Sequence, residues 1–491
     1  MRVKNRGVLV GLVLAGVGLA PNAFAVTSDE VSAQACPPGV ASRVGVIHPP
    51  GASPGSKLMD LTDVQGTVYF TSNLSENNGV ALWRSDGTEA GTLQLKQFPY
   101  AIHQLTNLVA VNDKLFFQFY EPNSETEQVW FSDKATRVTR FLKGFASDLT
   151  QLELRHATAV NGRLVFFRLV WRRQDEVERV ELWSSDGTDV GTTRLRDFEE
   201  SVSGFNLRES LTVGNALLFF RSQAKVGTTL WRTDGTSAGT TAVKSLDSGP
   251  VIIEELGRAG DVGLFVLGDF PNYEVWKTDG TEAGTSRLET FGRRVRIIGA
   301  LGGYVFLASV DAVAKQVQIH RVSLDGGKKT LVSVLPQDTP ALTPSVQRTA
   351  VSGTTLYLSV AQYGTSNLPT RVDLWALPER PEANRLRRLF SSLDRRDYSR
   401  FAPLFPTGDG ALFFTGSSTG MNTEPWFTRG TVATTGQIAD IGPGAAGSGT
   451  EDFTRSGLRI YFPARDDTGL EQLWSVPASF ICPPGLSETA E

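Results

Sequence analysis

The chain has 491 residues, with 48 Lys+Arg against 52 Asp+Glu, 40% hydrophobic and 20% charged residues, 49 glycines, four histidines and two cysteines. This composition excludes a disordered chain, a collagen-like repeat and a disulfide-dense small domain. So few His and Cys exclude a His/Cys zinc cluster of the usual spacing, and a formal net charge of −4 offers no field for nucleic acid, which is not expected as a partner.

The chain begins Met1-Arg2-Val3-Lys4-Asn5-Arg6, continues through an apolar stretch from Gly7 to Ala20, and reaches Pro21-Asn22-Ala23-Phe24-Ala25. A basic start, an apolar middle and an A-x-A end predict a secretory signal peptide over 1–25, cut after Ala25. Losing Arg2, Lys4 and Arg6 takes the net charge from −4 to −7. No later apolar run reaches the roughly 18 residues of a spanning helix, so the mature chain is expected to lack a transmembrane segment. The expected destination is the periplasm, the outer surface or the extracellular space. Residues 26–43 form a lead containing Cys36, which lies too far past the apolar run for lipid attachment.

From there on the chain repeats itself. Ala81-LWRSDGTEAGT, Glu181-LWSSDGTDVGT, Thr229-LWRTDGTSAGT and Glu274-VWKTDGTEAGT nearly superimpose. Weaker copies lie around Trp130, His320, Trp375, Trp426 and Trp474, so eight of the nine tryptophans (Trp83, Trp130, Trp183, Trp231, Trp276, Trp375, Trp426 and Trp474) share one slot. With His320 counted as a degenerate ninth, the spacing is 44–55 residues.

A second column precedes the first. Tight-turn pairs such as Gln65-Gly66, Asn112-Asp113, Asn161-Gly162, Gly214-Asn215, Gly302-Gly303, Ser352-Gly353 and Ser456-Gly457 stand before bulky apolar bursts such as Leu164-Val165-Phe166-Phe167. Such pairs accept the positive φ of a two-residue hairpin. Around Leu264-Phe265 the turn, and with it the register, is left open. Each unit thus reads as four short strands: an opening strand, a Phe-rich strand, the Leu-Trp strand and a closing strand. Consecutive large apolar residues in the Leu-Trp strand bury both faces of the sheet. Radially stacked four-stranded units of this length predict an all-β fold, a single β-propeller of eight or nine antiparallel blades over residues 44–482 with a tail at 483–491.

These residues resemble the bacterial ELWxxDGT repeat proteins, which are generally exported and mostly of unassigned role. The four good copies match that signature closely, and the resemblance covers roughly 44–482. Lys134, Arg429, Pro378, Pro381 and Val476-Pro477 depart from it. The resemblance implies no catalytic residue.

The ninth unit has no closing strand of its own. Arg43-Val44-Gly45-Val46-Ile47-His48-Pro49-Pro50-Gly51-Ala52 is similar to Gln437–Ala445, the segment after the eighth slot, so the N-terminal strand is expected to complete the last blade. Cys36-Pro37-Pro38-Gly39 and Cys482-Pro483-Pro484-Gly485 flank this junction, and export favours a Cys36–Cys482 disulfide.

Other motif matches dissolve on reading. Gly416-Ser417-Ser418-Thr419-Gly420 fits a nucleophile elbow, but no His follows His320. Gly442–Gly447 fits a dinucleotide fingerprint without the helix that must follow. The arginine-rich stretch from Arg385 to Arg400 falls in the register of a closing strand. The recurring Asp86, Asp186, Asp234 and Asp279 raise calcium, but each loop supplies one dependable carboxylate where calcium wants about six to eight oxygens. They are read as structural turn residues, and no cofactor is expected, calcium remaining the one open candidate. The repeated Trp is read as inter-blade packing rather than a sugar platform.

One column points to function. Five residues before the tight turns, four in the case of Asp452, stand Asp60, Asn107, His156, Glu209, Gln347 and Asp452, with Ile297 the exception. Opening strands line a propeller's channel, so these residues predict a polar ligand ring at one mouth. The reading is therefore an exported monomeric binding module for a protein or glycan, leaning away from an enzyme. Its alternatives are a hydrolase or lyase working on a glycan through channel-mouth carboxylates, and a calcium-stabilised surface protein.

Overall fold

The computed structural model describes residues 40–479 apart from short internal stretches, the longest being 202–209 and 393–403. The leader, Cys36, Glu209, Cys482 and the C-terminal tail lie outside the described residues. The described residues form nine four-stranded antiparallel sheets, a β-propeller, with one short 3-10 turn at Val432–Thr434. Blades 1 to 8 are simple meanders over residues 58–98, 105–146, 152–201, 210–247, 252–291, 295–334, 343–392 and 405–437. Blade 9 takes three strands from 454–477 and its fourth from Ser42–Arg43, which pairs with Trp474 and Ser475.

The repeat builds blades because its apolar residues fall on both faces of the two middle strands. In blade 1, Val68, Tyr69, Phe70, Ala81 and Leu82 are all fully buried. The slot Trp pairs across the sheet with a Phe: Phe70 with Trp83, Phe117 with Trp130, Phe166 with Trp183, Phe219 with Trp231 and Phe265 with Trp276. These rings stack at centroid distances of 6.0–6.5 Å. A Phe on the closing strand of the preceding blade then meets the Trp edge-on, as Phe98 does Trp130, Phe145 does Trp183 and Phe198 does Trp231. His320 holds the same slot in blade 6, paired with Leu307 and met by Phe291 of blade 5, so the degenerate unit is a full blade.

First strands of successive blades lie side by side. Where that contact is thin, side chains bridge it: Ser210 to His156 between blades 3 and 4, and Arg455 to the Thr407 carbonyl between blades 8 and 9. Blade 9 adjoins blade 1, with Thr454 Oγ1 donating to the Leu61 carbonyl at 3.0 Å and Ser456 Oγ to Asp63 at 2.6 Å. The first strands therefore form the innermost ring, around the axis.

Three details differ from the sequence reading. The turn of blade 5 is Gly260-Asp261, and those of blades 7 and 9 are Gly353-Thr354 and Gly457-Leu458, leaving Ser352 and Ser456 as the last residues of their strands. The propeller starts at Ser42 rather than Val44. The completing strand is only Ser42–Arg43, not Arg43–Ala52. Beyond Val44, whose amide donates to the Leu473 carbonyl at 2.8 Å, side chains of the last strand take over the segment's backbone groups, and Pro49 and Pro50 have no N–H to give a ladder.

Candidate binding site at the channel mouth

The repeat motif is consumed by structure. In the blade 1 loop, Asp86 Oδ1 accepts from Thr88 N at 3.0 Å and Thr88 Oγ1 at 2.7 Å, while Thr88 Oγ1 accepts from Gly91 N and Thr92 Oγ1 donates to the Thr88 carbonyl. The loops at Asp186, Asp234 and Asp279 repeat these bonds. A Cβ on Gly91 would collide with the Asp86 carboxylate, which is why the second glycine of the motif is glycine. The Thr88 hydroxyl and then its amide hold the Asp86 carboxyl below the ordinary carboxylate range.

In blades 2, 3 and 5 the residue two before the Trp accepts from the indole. Gln128, Glu181 and Glu274 receive Trp130, Trp183 and Trp276 Nε1 at 2.9–3.0 Å. The residue after the Trp is often a cation that reaches the next blade, as Arg84 does the Lys134 carbonyl and Lys277 the Leu324 carbonyl. Trp231, Trp375 and Trp426 are buried and the other slot tryptophans half-buried. No group of three or more His, Cys, Asp or Glu that could hold a metal occurs among the described residues.

What the repeat does not explain lies on the innermost strands. The ladder between first and second strands is broken by a β-bulge at Asp60-Leu61, Asn107-Leu108 and His156-Ala157, in each case opposite the Phe that faces the Trp. Asp60, Asn107 and His156 have φ of +59°, +55° and +52°. L-residues rarely adopt this left-handed region, and such strain costs about 1–3 kcal/mol per residue. In blade 6 the bulge falls at Ile297-Ile298, which keeps the register with apolar residues. In blades 5 and 7 it sits nearer the strand start, where Glu254 and Gln347 are the extra residues.

A second layer supports the bulged side chains. Thr71 Oγ1 donates to Asp60 Oδ2 at 3.3 Å, Asn107 Nδ2 donates to Gln118 Oε1 at 2.6 Å, and His156 Nδ1 shares a 3.2 Å hydrogen bond with Ser210 Oγ of blade 4. Gln347 Nε2 reaches the Ser345 carbonyl at 3.4 Å. On the arc formed by blades 5 and 6, Arg296 Nε pairs with Glu255 Oε1 at 2.6 Å and its Nη1 donates to the Val346 carbonyl at 2.7 Å.

Asp452 precedes Phe453 and occupies in blade 9 the register position of Asp60 in blade 1. Asp60 keeps contact with solvent, yet the protein packed about it desolvates the carboxyl and raises its pKa, against the pull of Thr71. Burial raises that of Asp452 as well, the Phe453 amide at 2.8 Å opposes it, and repulsion from Asp60 adds to the rise. Two like charges thus share one stretch of the inner rim.

Of the six residues expected in the ring, the structure places Asp60, Asn107, His156 and Asp452 at one register level of blades 9, 1, 2 and 3. Gln347 is displaced toward the start of its strand, and Glu209 lies outside the described residues. Ser210, Gln118 and Glu255 escaped the sequence reading, because their only signal is a pairing across strands or blades.

The chain matches no protein-family model and no curated protein. Among solved structures it is similar to a prolyl endopeptidase at 9% identity and TM-score 0.42, covering 76% of this chain and 54% of that one. An acylaminoacyl peptidase of Pyrococcus horikoshii gives 12% identity and TM-score 0.38, with 84% and 57% covered. The propeller domain of the Trilobed protease from Pyrococcus furiosus gives 11% and 0.34, with 70% and 96% covered. The chain spans little more than half the length of the first two. Likeness at this level carries nothing about activity, and the fold rests on the sheet pairing above.

Proposed function

We propose that the chain is an exported, non-enzymatic β-propeller of the ELWxxDGT kind, a monomer that binds an unidentified protein or glycan at its channel mouth. On this reading its tails are tied by a Cys36–Cys482 disulfide. The observation that carries the reading is the placement of Asp60, Asn107 and His156 in strained bulges on the innermost strands, while the motif residues are spent on packing and turns. A scaffold keeps polar side chains in left-handed conformations where something other than stability retains them. The test is a binding screen of the mature protein against glycans and envelope fractions. The triple variant Asp60→Asn/Asn107→Ala/His156→Ala is expected to lose the binding while the propeller stays folded. Binding unchanged in that variant overturns the reading.

A second reading makes the same mouth a glycan hydrolase or lyase, because neighbouring carboxylates with raised pKa can divide acid and base roles. It predicts turnover of a polysaccharide that disappears when Asp60, Glu209 and Asp452 are all replaced by Ala in a folded protein. The loop carboxylates already serve their own threonines, so calcium is left out of both readings, and chelator is expected to leave the Tm unmoved.

A further inference from the structure

The segment that closes the ring is held almost without ladder bonds. After Ser42–Arg43 the chain runs across the last strand, Glu471–Pro477, and is gripped by two of its side chains. Gln472 Oε1 accepts from Ile47 N at 2.9 Å and His48 N at 3.3 Å, its Nε2 donates to the His48 carbonyl at 2.8 Å, and Glu471 Oε1 accepts from Leu58 N at 2.6 Å. Val44 and Ile47 bury their side chains against Leu58, Tyr461 and Leu473.

Within this clamp His48 is completely buried. Its Nδ1 lies 2.7 Å from the Glu471 carbonyl, which only accepts, so Nδ1 carries the hydrogen. Nε2 is then the bare lone pair, buried and without a hydrogen-bond partner. We infer that the N-terminal closing segment is an acid-sensitive latch: a proton taken from solvent by His48 Nε2 releases residues 42–50 from the last strand while blades 1 to 8 stay folded.

A charge at Nε2 is cut off from water in the closed state and has no hydrogen-bonded partner, the Asn73 backbone easing it by less than burial costs, whereas in the released segment water solvates it. The charged groups about the clamp are the Glu471 carboxylate on the last strand, Lys57 ahead of the first strand of blade 1, and the Arg43–Asp466 pair at 3.3 Å at the segment's start. The imidazole hydrogen-bonds the Glu471 carbonyl rather than its carboxylate, and burial pushes its pKa below the ordinary 6.5, outweighing the backbone contacts that raise it. The sign follows: the latch is intact above pH 6.5 and loosens as pH falls through and below that value.

The test is hydrogen exchange on the mature chain in reductant, so that no covalent tie between the tails holds the segment in place. Protection of the Val44, Ile47 and His48 amides is expected to fall about tenfold per pH unit below 6.5, while the Arg163–Trp171 strand keeps its protection. In His48→Gln the fall disappears. A flat profile in the wild type, an equal fall in the variant, or simultaneous loss in all blades overturns the latch. If the variant does not fold, an NMR titration of the wild type decides, since His48 titrating at or above 6.5 overturns it equally.

Discussion

Blades 3 and 8 use the same repeat position in opposite ways. In blade 3, Glu181, two residues before Trp183, is 1% exposed and gathers Trp183 Nε1 at 2.9 Å with Arg168, Arg179 and Arg194, each at 3.0 Å. Burial alone would raise its pKa, but Trp183 and Arg168 outweigh that and hold the carboxyl below its ordinary range. In blade 8 the equivalent Glu424, also 1% exposed, leaves Trp426 Nε1 without a partner. It accepts instead the amides of Ile441, Gly442 and Ser448 at 3.0–3.2 Å. Burial raises its pKa despite those donors. Gln472 of blade 9 follows blade 8: it grips the N-terminal segment, and Trp474 Nε1 is left without a partner. Blades 3, 8 and 9 thus carry a buried acceptor at the same repeat position. Blade 3 spends it inside the sheet, and blades 8 and 9, beside irregular connections, spend it on the connecting chain.

Removing the acceptor sharpens the contrast. Glu181→Ala removes the acceptor shared by three arginines and an indole, and is expected to cost about 3–5 kcal/mol in denaturant unfolding. Glu181→Gln, which can still receive the indole, costs less. Glu424→Ala leaves the Ile441 and Gly442 amides without their acceptor and is expected to cost about 2–3 kcal/mol, with hydrogen-exchange protection lost first at Ile441, Gly442 and Ser448. Protection lost uniformly around the ring in that variant would erase the distinction between the two blades. Asp186→Ala, which empties one motif loop, costs about 1 kcal/mol, and the other loops compensate for none of it.

The smallest effect runs the other way. The raised carboxyls of Asp60 and Asp452 make their charged forms a liability, so Asp60→Asn and Asp452→Asn are expected to raise Tm at neutral pH. That gain shrinks as pH falls toward the ordinary Asp value of 3.8 and is gone below it, because the folded wild-type groups take up their protons above that value. Asp86, Asp186, Asp279 and Glu181 have lowered pKa values, so their contribution is complete at neutral pH and lost as acid protonates them. Thermal scans from pH 3 to 7 of wild type and both Asn variants separate the two classes. Unchanged Tm in both variants would remove the like-charge account of the rim.

Much of the site was visible as a column. Asp60, Asn107 and His156 stand at a constant offset from turn residues that announce themselves by chemistry, so counting back from the turn located them. The bulges were not visible, because a bulge depends on how two strands pair and any of these residues fits an unbroken strand equally well. The displacement of Gln347 shows the limit: it was counted back from Ser352, but the turn of blade 7 is Gly353-Thr354, and the extra residue of that blade falls elsewhere in the ladder.

The amino-acid order by itself determined the repeat, the antiparallel four-stranded unit and the use of the N-terminal strand to close the last blade. Each follows from local physics: turn residues that accept positive φ, and alternating faces that both need burial. Tertiary structure alone decided which acceptor caps an indole and which ties a loop, where the inner strands bulge, and that Asp452 and Asp60 confront each other across 392 residues of sequence. Those outcomes depend on what a neighbouring blade presents, and neighbouring faces meet only once the ring has closed.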